Sequence, residues 1–588
     1  MKRLERPKDP LTGNSRDSGR AYGATARSLS VVLACAALGV FLAGAWNYRW
    51  MADDGFIHLR IVQQIEAGHG PVFNAGERVE ASTSPAWTWL LAAADVLLPM
   101  PLEWIAVLGG IALSVCGLVM AMLGAARLTQ ARGRSHLLFP LGGLVLAVLP
   151  AMWLNASTGL ENGLAFAWLG ACAWLLARWA DGTGSLSGWT AALVGVGTLV
   201  RPEFILVSLP LLAAAVGFGT SARGIRGAVR TALAAFAMPV AYELFRMGYY
   251  ASLTPNSGIA KEAGRSFWSA GWTYLHNTVD PYWLWVPLVI ALVGGYAPLL
   301  HELVTRQRQR AIALVLACLT AGLLDALFIV RVGGDFYHAR LLLPPLFLLL
   351  APIALVPCRK LYLGALLVLP WAAVALVSLR SPDAQPRGTF TYRNPVTIAD
   401  YFAVMGGLPL RWFDGRGIYF VFTKIPAAPV PGRDPSVAIP AIGATGYALG
   451  PHVYILDTLG LADALGARLR LTHRGFLVGH EKPLPAAWVA AKLVLPGSAV
   501  GAADLTTSGA LIVPIDDAGT QPFEDRVADA RAALECGALR ELQDAIASPL
   551  TPKRFLSNLL AAPRLWRLRV PPEPRDARAA FCEASAPP

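Results

Sequence analysis

Apolar runs with charged ends recur along the chain and constrain its fold more than any other feature. Each approaches the length that an α-helix needs to cross a bilayer. Of all residues, 55% are hydrophobic and only 15% are charged, against about 25% charged in soluble domains. The sequence therefore predicts a polytopic α-helical membrane protein with about eleven transmembrane helices. The predicted spans are residues 29–46, 102–126, 136–153, 160–178, 186–200, 203–218, 231–248, 282–300, 311–330, 340–357 and 361–379.

The two runs that flank Arg201-Pro202 are short, so they are either two tilted spans or one broken helix. The ends of the other predicted spans are placed from the apolar pattern alone.

Basic residues fall on one side of the predicted membrane, which the positive-inside rule makes cytoplasmic. An odd number of alternating spans then puts everything after about residue 380 outside, in a multi-pass protein of the plasma membrane. The formal net charge of +12 largely reflects this bias, and no basic patch interleaved with aromatic residues indicates a nucleic-acid partner. The basic residues are Lys2, Arg3, Arg6, Lys8, Arg16, Arg20, Arg27, Arg127, Arg132, Arg134, Arg223, Arg226, Arg230, Arg306, Arg308, Arg310, Arg359 and Lys360.

The same pattern divides the chain into three regions: a basic cytoplasmic tail (1–28), a transmembrane domain (29–379) and an extracytoplasmic C-terminal domain (380–588). Within the second region, an outer loop (47–101) carries an apolar helical stripe that we expect to lie flat at the membrane interface. The run PAWTWLLAAADVLLPM is too short to cross comfortably and is expected to lie there too. The stripe consists of Phe56, Ile57, Ile61, Val62 and Ile65.

The C-terminal domain is rich in Pro and Gly and has short apolar runs such as GIYFVF and ALIVPI, which are typical of a mixed α/β fold. Cys536 and Cys582 both lie in it, and an oxidising compartment would let them form a disulfide. The closing segment PPEPRDARAAFCEASAPP is expected to be irregular and held only by Cys582.

Two adjacent carboxylates, Asp53 and Asp54, follow the first apolar run directly. One Asp at a helix N-terminus caps free backbone N–H groups and is worth about 0.5–2 kcal/mol. A second anion beside the first adds repulsion and a desolvation cost at the edge of the bilayer, so it needs a partner or a task. We therefore favour a functional role for the pair over capping alone.

Other polar groups lie at the predicted outer ends of spans. Alone, each is more typical of an interfacial residue, but together they would suit an anionic lipid-linked substrate, with cations on a phosphate and a carboxylate on a hydroxyl. The sequence contains no P-loop, dinucleotide-binding fingerprint or HExxH zinc motif. The polar groups are Glu161, Arg201, Glu203, Lys261, Arg331, Asp335, His338 and Arg340.

Several stretches between Asn47 and Pro485 together resemble the actinobacterial family of terminal β-(1→2) arabinofuranosyltransferases (AftB). They are DDGFIHLRIVQQIEAGHGPVFNAGERVEASTSPAWTWLLA, TGLE, RPE, TPNSGIAKE, VGGDFYHARLLLP, DTLGLAD and GHEKPLP. The resemblance implies a GT-C membrane glycosyltransferase. It also implies a decaprenyl-phosphoryl arabinofuranose donor and an arabinan acceptor, belonging to arabinogalactan or lipoarabinomannan.

The resemblance also implies roles for residues. Asp53 and Asp54 match the family's acidic pair and would face the reacting sugar, and they would hold a divalent cation if one takes part. Donor and product are both β-linked, so retention requires either a covalent arabinosyl-aspartate or entry of the acceptor on the leaving-group face. From the predicted topology rather than from the resemblance, we expect Arg201, Lys261, Arg331 and Arg340 to contact the donor phosphate, with His58, Glu161, Asp335 and His338 on the sugar or behind it. The segment with His480, Glu481 and Lys482 is expected to hold acceptor or to form a lid.

Other readings remain open. Another polyprenyl-phosphate-sugar transferase, for instance one that moves mannose, would show the same pattern, because pocket shape decides the sugar. A transporter or lipid flippase predicts charges near the middle of spans and inverted repeats, whereas here Asp325 is the one acid in mid-span and no repeat is visible. A structural scaffold gives no reason for the acidic pair.

Overall fold

A computed structural model describes residues 14–129, 137–219, 224–378, 436–474, 478–479, 481–493 and 521–583. The described chain is mostly helical. The helices up to residue 378 are α1 (Asn14–Asn47), α2 (Asp53–Glu66), α3 (Pro85–Leu97), α4 (Leu102–Thr129), α5 (Leu141–Val148), α6 (Pro150–Asn155), α7 (Asn162–Ala180), α8 (Gly188–Gly195), α9 (Gly197–Val200), α10 (Ile205–Gly219), α11 (Gly224–Tyr250), α12 (Asn256–Ala260), α13 (Trp268–Val279), α14 (Trp285–Ile290), α15 (Ala297–Thr305), α16 (Gln309–Val332), α17 (Leu343–Leu350) and α18 (Val368–Val377).

Short 3₁₀ or π turns join several of these helices, namely Pro202–Phe204, Asp280–Tyr282, Ala291–Tyr296, Ala351–Ile353 and Lys360–Leu367. Two residue pairs, β1 (Leu138–Phe139) and β2 (Val356–Pro357), form a small antiparallel ladder.

Seven described helical segments are long and apolar enough to cross a membrane, and three shorter apolar helices accompany them. Together with α5 and α6, which Pro150 separates, they cover all eleven predicted spans. The chain breaks at Arg201, whose backbone is extended, so the runs on either side form two helical pieces. The seven segments are 24–47, 102–129, 162–180, 224–250, 285–305, 309–332 and 360–377, and the shorter ones are 188–200, 202–218 and 343–353.

Glycines at seven-residue intervals let α4 and α7 run side by side in direct backbone contact. A Cβ atom on Gly163 would lie 2.3 Å from the carbonyl oxygen of Gly110, and one on Gly170 would lie 2.3 Å from that of Gly117. Real Cβ atoms do not approach so closely, so only glycine fits. Small residues at a helix interface allow this packing where lipid offers no hydrophobic driving force.

Basic residues gather at the end of the bundle remote from α2. There Arg127 pairs with Asp181 at 3.1 Å, and Arg308 donates to the carbonyl oxygen of Leu128 at 2.7 Å. These contacts join the ends of α4, α7 and α16. The basic clusters flanking different spans thus lie at a common end, as a one-sided charge bias requires.

Helix α2 is covered by protein along its apolar stripe. It is buried on two sides: Phe56 and Val62 belong to the large core cluster of the spans, while Ile57 and Ile61 pack in a second cluster with C-terminal residues such as Ile455. Protein therefore covers both the stripe and the helix face beside it, and the position of α2 at the membrane interface stays a prediction. Helix α3 has an open apolar end, with Val96 and Leu97 largely exposed.

The C-terminal part contains a two-stranded parallel ladder of β3 (Ser436–Ile439) and β4 (Tyr454–Asp457). Helices surround it: α19 (Gly443–Leu449), α20 (Ala464–Arg468), α21 (Ala486–Leu493), α22 (Phe523–Leu534), α23 (Gly537–Ala547), α24 (Pro552–Arg567) and α25 (Pro574–Arg578). The runs GIYFVF and ALIVPI lie outside the described residues.

The closing segment is more ordered than expected. It forms α25 and a following π turn, and Arg578 pairs with Asp529 at 2.8 Å while Trp488 donates to the carbonyl oxygen of Pro572 at 2.8 Å. Cys582 is disulfide-bonded to Cys536, with Cα atoms 5.1 Å apart. The irregular-segment prediction was wrong because local Pro content concealed a helix start after Glu573.

Candidate active site

The acidic pair opens α2, and the loop before α7 fixes that first turn. The backbone N–H of Ala52 donates to the carbonyl oxygen of Thr158 at 2.9 Å. Gly55 lies so close to the same loop that a Cβ on it would be 2.4 Å from that oxygen. The TGLE motif, which ends in Glu161, is therefore held directly beside the acidic pair.

Asp53 binds the C-terminal part of the chain. Its two carboxylate oxygens accept the backbone N–H groups of Gly443, at 3.0 Å, and of Ala444, at 2.9 Å, which begin α19. Burial raises the pKa of Asp53 from 3.8 to about 6, the two backbone N–H groups oppose the rise, and the negative charge of Asp54 adds to it. Asp53 thus caps a helix, as the capping interpretation predicted. The helix that it caps is not its own α2 but α19, 390 residues further along the chain.

Arg60, two turns after Asp53, holds the other end of α19. Its fully buried guanidinium donates to the carbonyl oxygens of Gly446 and Gly450 at 2.5 and 2.8 Å. It also donates to Phe73 at 2.8 Å and to Val453 at 2.6 Å. A carboxylate at the N-terminus of α19 and a cation at its C-terminus complement the helix dipole at both ends.

Asp54 faces a different group of charges. It interacts electrostatically with Arg340, which is buried and lies over the ring of Tyr337 at 5.2 Å. Arg340 Nε lies 3.0 Å from Asp335 Oδ2, at an angle that makes the contact an ion pair rather than a hydrogen bond. The VGGDFYHAR motif therefore brings both a cation and an acid to the neighbourhood of Asp54.

Glu161 and Arg201 extend this cluster. They form a buried ion pair, and Arg201 Nε also donates to Glu203 at 2.5 Å. The extended backbone at Arg201, between two helical pieces, projects the guanidinium toward Glu161 rather than along a helix. The break in the chain at RPE is thus what places a cation beside the TGLE acid.

Four buried atoms in this cluster, on Glu161, Asp335 and Arg340, have hydrogen-bonding capacity left over. Glu161 Oε2 and Arg340 Nη1 have no hydrogen-bond partner within the described parts of the chain. An unsatisfied buried polar atom costs about 1–3 kcal/mol, more when it is charged, so native sites that keep one serve a ligand or water. An acceptor and a cationic donor in the same charged cluster match a substrate with hydroxyl groups and an anion.

Lys261 approaches the cluster from the TPNSGIAKE segment. Its Nζ lies 3.9 Å from Asp335 Oδ1, and its side chain keeps 23% of its surface exposed. A Cβ on Gly479 would lie 3.1 Å from Lys261 Cε, so the GHEKPLP segment covers this lysine closely. Lys261 is the most accessible cation of the group.

The two histidines are neutral supports. His58 Nδ1 bonds to Thr88 Oγ1 at 2.9 Å, and burial lowers the pKa of His58 to about 4, although the charge of Glu161 opposes the shift. His338 Nε2 bonds to Tyr282 Oη at 2.9 Å, and burial also lowers its pKa to about 4. Both rings are therefore uncharged near neutral pH.

Four predicted residues stand apart from this cluster or cannot be placed. Arg331 donates to the carbonyl oxygen of Gly264 at 3.2 Å, near the surface. Glu481 pairs with Arg474 at 3.3 Å. Lys482 is buried, 2.6 Å from Glu262, where it joins the TPNSGIAKE segment to the C-terminal part instead of lining an open lid. His480 lies outside the described residues.

Comparison with known proteins places this arrangement in a family. A model of the AftB family C-terminal domain matches residues 427–564. The terminal beta-(1->2)-arabinofuranosyltransferase of Mycobacterium tuberculosis is 34% identical over 93% of this chain and 96% of its own length. The chain belongs to the terminal β-(1→2)-arabinofuranosyltransferase family. A Corynebacterium glutamicum protein of the same name is 28% identical over 96% of this chain and 89% of its own. No solved structure matches.

Family membership makes the chain a glycosyltransferase, and with the helical membrane architecture it confirms the expected GT-C fold class. The site described above lies within the aligned length. The sequence stretches DD, TGLE, RPE and GGDFYHAR thus converge in space on one cluster.

The described residues around the acidic pair do not by themselves make up a complete divalent-cation site, so a cation held by Asp53 and Asp54 stays a prediction. Both oxygens of Asp53 already accept backbone N–H groups. Within the described residues, no group of three or more His, Cys, Asp or Glu side chains is disposed to hold a metal ion. Of the two aspartates, Asp54 interacts with the charged cluster around Arg340, whereas Asp53 binds α19.

Sequence reasoning missed Arg60 and Asn74. Asn74 joins the outer loop to β4, because its side chain donates to the Ile455 carbonyl at 2.8 Å and accepts the Ile455 N–H at 3.0 Å. An arginine on the apolar side of an amphipathic helix was the available signal for Arg60. Nothing local in the sequence pointed to Asn74.

Proposed function

We propose that this family member transfers arabinofuranose from decaprenyl-phosphoryl arabinose to the ends of arabinan chains of arabinogalactan or lipoarabinomannan, forming terminal β-(1→2) linkages. The observation that carries the proposal is the buried cluster around Arg340, in which a cation and a carboxylate retain unsatisfied hydrogen-bonding capacity beside Asp54. A phosphate-linked sugar supplies the matching anion and hydroxyl groups.

The reaction takes place at the outer face of the plasma membrane. The proposed arrangement is a cytoplasmic tail (1–28), a transmembrane domain (29–379) and an extracytoplasmic domain from residue 380. Supporting it, the basic ends of α4 and α16 lie together at the far end of the bundle from α2. A lipid-linked donor reaches the cluster laterally from the bilayer.

Arg340 and Lys261 bind the donor phosphate in this proposal, and Arg201 holds Glu161 toward the sugar hydroxyls. Asp54 is the reacting carboxylate, because Asp53 is committed to α19. In one route to retention, Asp54 attacks C1 and phosphate leaves with the bonding electrons. The acceptor 2-hydroxyl then displaces Asp54, giving its proton to the departed phosphate. In the other, the acceptor enters on the phosphate face, and phosphate takes its proton directly.

Transfer of radiolabelled arabinose from synthetic donor to a short arabinan, by the purified full-length chain, tests the proposal. We expect Asp54→Asn to lose about a hundredfold or more in rate. Asp181→Asn, at the remote end of the bundle, is the control and keeps wild-type activity. A well-folded Asp54→Asn protein with full activity would remove Asp54 from the reaction.

Two further measurements refine the assignment. An arabinosyl adduct on Asp54 in intact-protein mass spectra would establish the first route, and turnover that never shows one favours the second. Transfer from a mannosyl donor, with none from the arabinosyl donor, would support the alternative polyprenyl-phosphate-dependent enzyme.

A further inference from the structure

Helix α24 of the C-terminal part has one side packed and one side open. Its buried side is Asn558, Ala562 and Leu565. The opposite side exposes Leu556 by 61% and Leu560 by 80%. Large apolar side chains in such pairs on an otherwise polar helix indicate a contact surface.

The helix lies at the outer end of a membrane span. Asn558 donates to the carbonyl oxygen of Gly248, near the end of α11, at 3.1 Å. The ring of Phe555 covers Gly248 so closely that a Cβ there would lie 2.3 Å from it. The surface of α11, a candidate membrane span, is exposed one turn below, where Leu244 is 47% exposed. The end of a span marks the boundary between hydrocarbon and water, so α24 sits at that level.

Basic residues share the open side of α24. Lys553, Leu556, Leu560, Arg564 and Arg567 follow one another at intervals of three or four residues, so they lie along one stripe of the helix. Arg564 pairs with Glu541 of α23. Leucines with lysine and arginine along one surface are typical of helices that bind anionic lipid.

We propose that α24 lies in the outer surface of the bilayer, with Leu556 and Leu560 inserted at the boundary of the acyl chains and Lys553 and Arg567 on anionic phospholipid headgroups. The continuity with the lipid-facing side of α11 favours lipid over another protein as the occupant. The C-terminal part is then anchored to the membrane directly, in addition to its contacts with the outer loop.

Photo-crosslinking in the full-length chain tests this. Benzoylphenylalanine replaces Leu560, or, as the control, Asp576, which is exposed on α25. The protein is reconstituted in nanodiscs of equal phosphatidylcholine and phosphatidylglycerol. We expect several-fold more phospholipid adduct at position 560 than at 576. Equal lipid adduct at both positions, or crosslinks from position 560 to this chain or a second copy, would overturn the proposal.

The charged residues are tested separately. Adducts at position 560 should favour phosphatidylglycerol over phosphatidylcholine, and Lys553→Gln with Arg567→Gln should bring the ratio back to that of the bilayer. An unchanged preference would overturn the headgroup assignment. Neither measurement depends on catalysis, so a failure here is distinct from a failure of the arabinosyl-transfer assay.

Discussion

Two close helix contacts in this molecule use the same steric device with different chemistry. Between α4 and α7, glycines alone bring the backbones together. Between α2 and α19, Gly443 again has no Cβ, and a Cβ there would lie 1.7 Å from the carbonyl oxygen of Asp53. In this contact, however, the Asp53 carboxylate and the Arg60 guanidinium also bind the two ends of α19. The first contact, between two candidate membrane spans and called the membrane contact below, avoids charge. The second, between the predicted outer loop and the C-terminal part and called the outer contact below, is directed by charge.

Filling the membrane contact should have the largest effect. In Gly163→Leu, the new side chain collides with the Gly110 backbone, which has no room to yield, so we expect loss of most folded protein. Gly39→Leu is the matched control, because no atom lies within 4 Å of a Cβ at that position of α1. Size-exclusion profiles after a heat ramp measure the difference. Equal thermal midpoints for the two variants would show that the α4–α7 contact is not tight.

Removing the cation from the outer contact should be the next largest effect. Arg60→Met leaves the carbonyl groups at the end of α19 unpaired, at a cost on the order of 3 kcal/mol. We expect faster proteolysis of the C-terminal part while the spans stay folded, together with lower transferase activity. Arg470→Met, at an exposed arginine, is the control. Unchanged protease resistance in Arg60→Met would mean that other contacts hold α19.

Breaking the disulfide tests the stability of the C-terminal part itself, as distinct from its attachment to the rest of the chain. Cys536→Ser with Cys582→Ser opens a link between residues 46 apart, which is typically worth about 2–4 kcal/mol. We expect a lower melting temperature for the C-terminal part and little change in the spans. Cys35→Ser, at an exposed unpaired cysteine, should have no effect. Loss of the spans in the double variant would show that the two regions unfold as one unit.

A change of pH should have the smallest effect. The pKa of Asp53 rises from 3.8 to about 6 on folding, so the folded state holds a proton that the unfolded state releases. This contribution to the free energy of unfolding is present below pH 3.8 and is lost as pH rises through about 6. The thermal midpoint of the C-terminal part should fall across this window in wild type but less so in Asp53→Asn. Equal slopes in both proteins would contradict the assignment.

The sequence predicted those features of the fold and of the site that depend on local residue patterns. Each of the eleven apolar runs contains helix, and the polar residues at their predicted outer ends include Glu161, Arg201 and Arg340, which do converge. The seven-residue spacing of glycines in α4 and α7 is equally visible in the sequence. A seven-residue interval of small residues is a packing signal that hydropathy alone does not reveal.

The rest depends on contacts between distant parts of the chain. The apolar stripe correctly predicted that α2 is an amphipathic helix. Such a stripe does not indicate whether lipid or protein covers it. The partner of Asp53 lies 390 residues away, so the division of the acidic pair into a carboxylate bound to α19 and one beside Arg340 had no local signal.

That same separation sets an order of events during synthesis. The ribosome makes Asp53 early and Gly443 only after the last span has been made. Until the C-terminal part has been made and has met α2, the carboxylate lacks the two amide groups that hold it. A truncated chain that ends before α19 therefore lacks both contacts of this carboxylate. Docking of the C-terminal part, rather than formation of α2, is the step that completes the surroundings of Asp53.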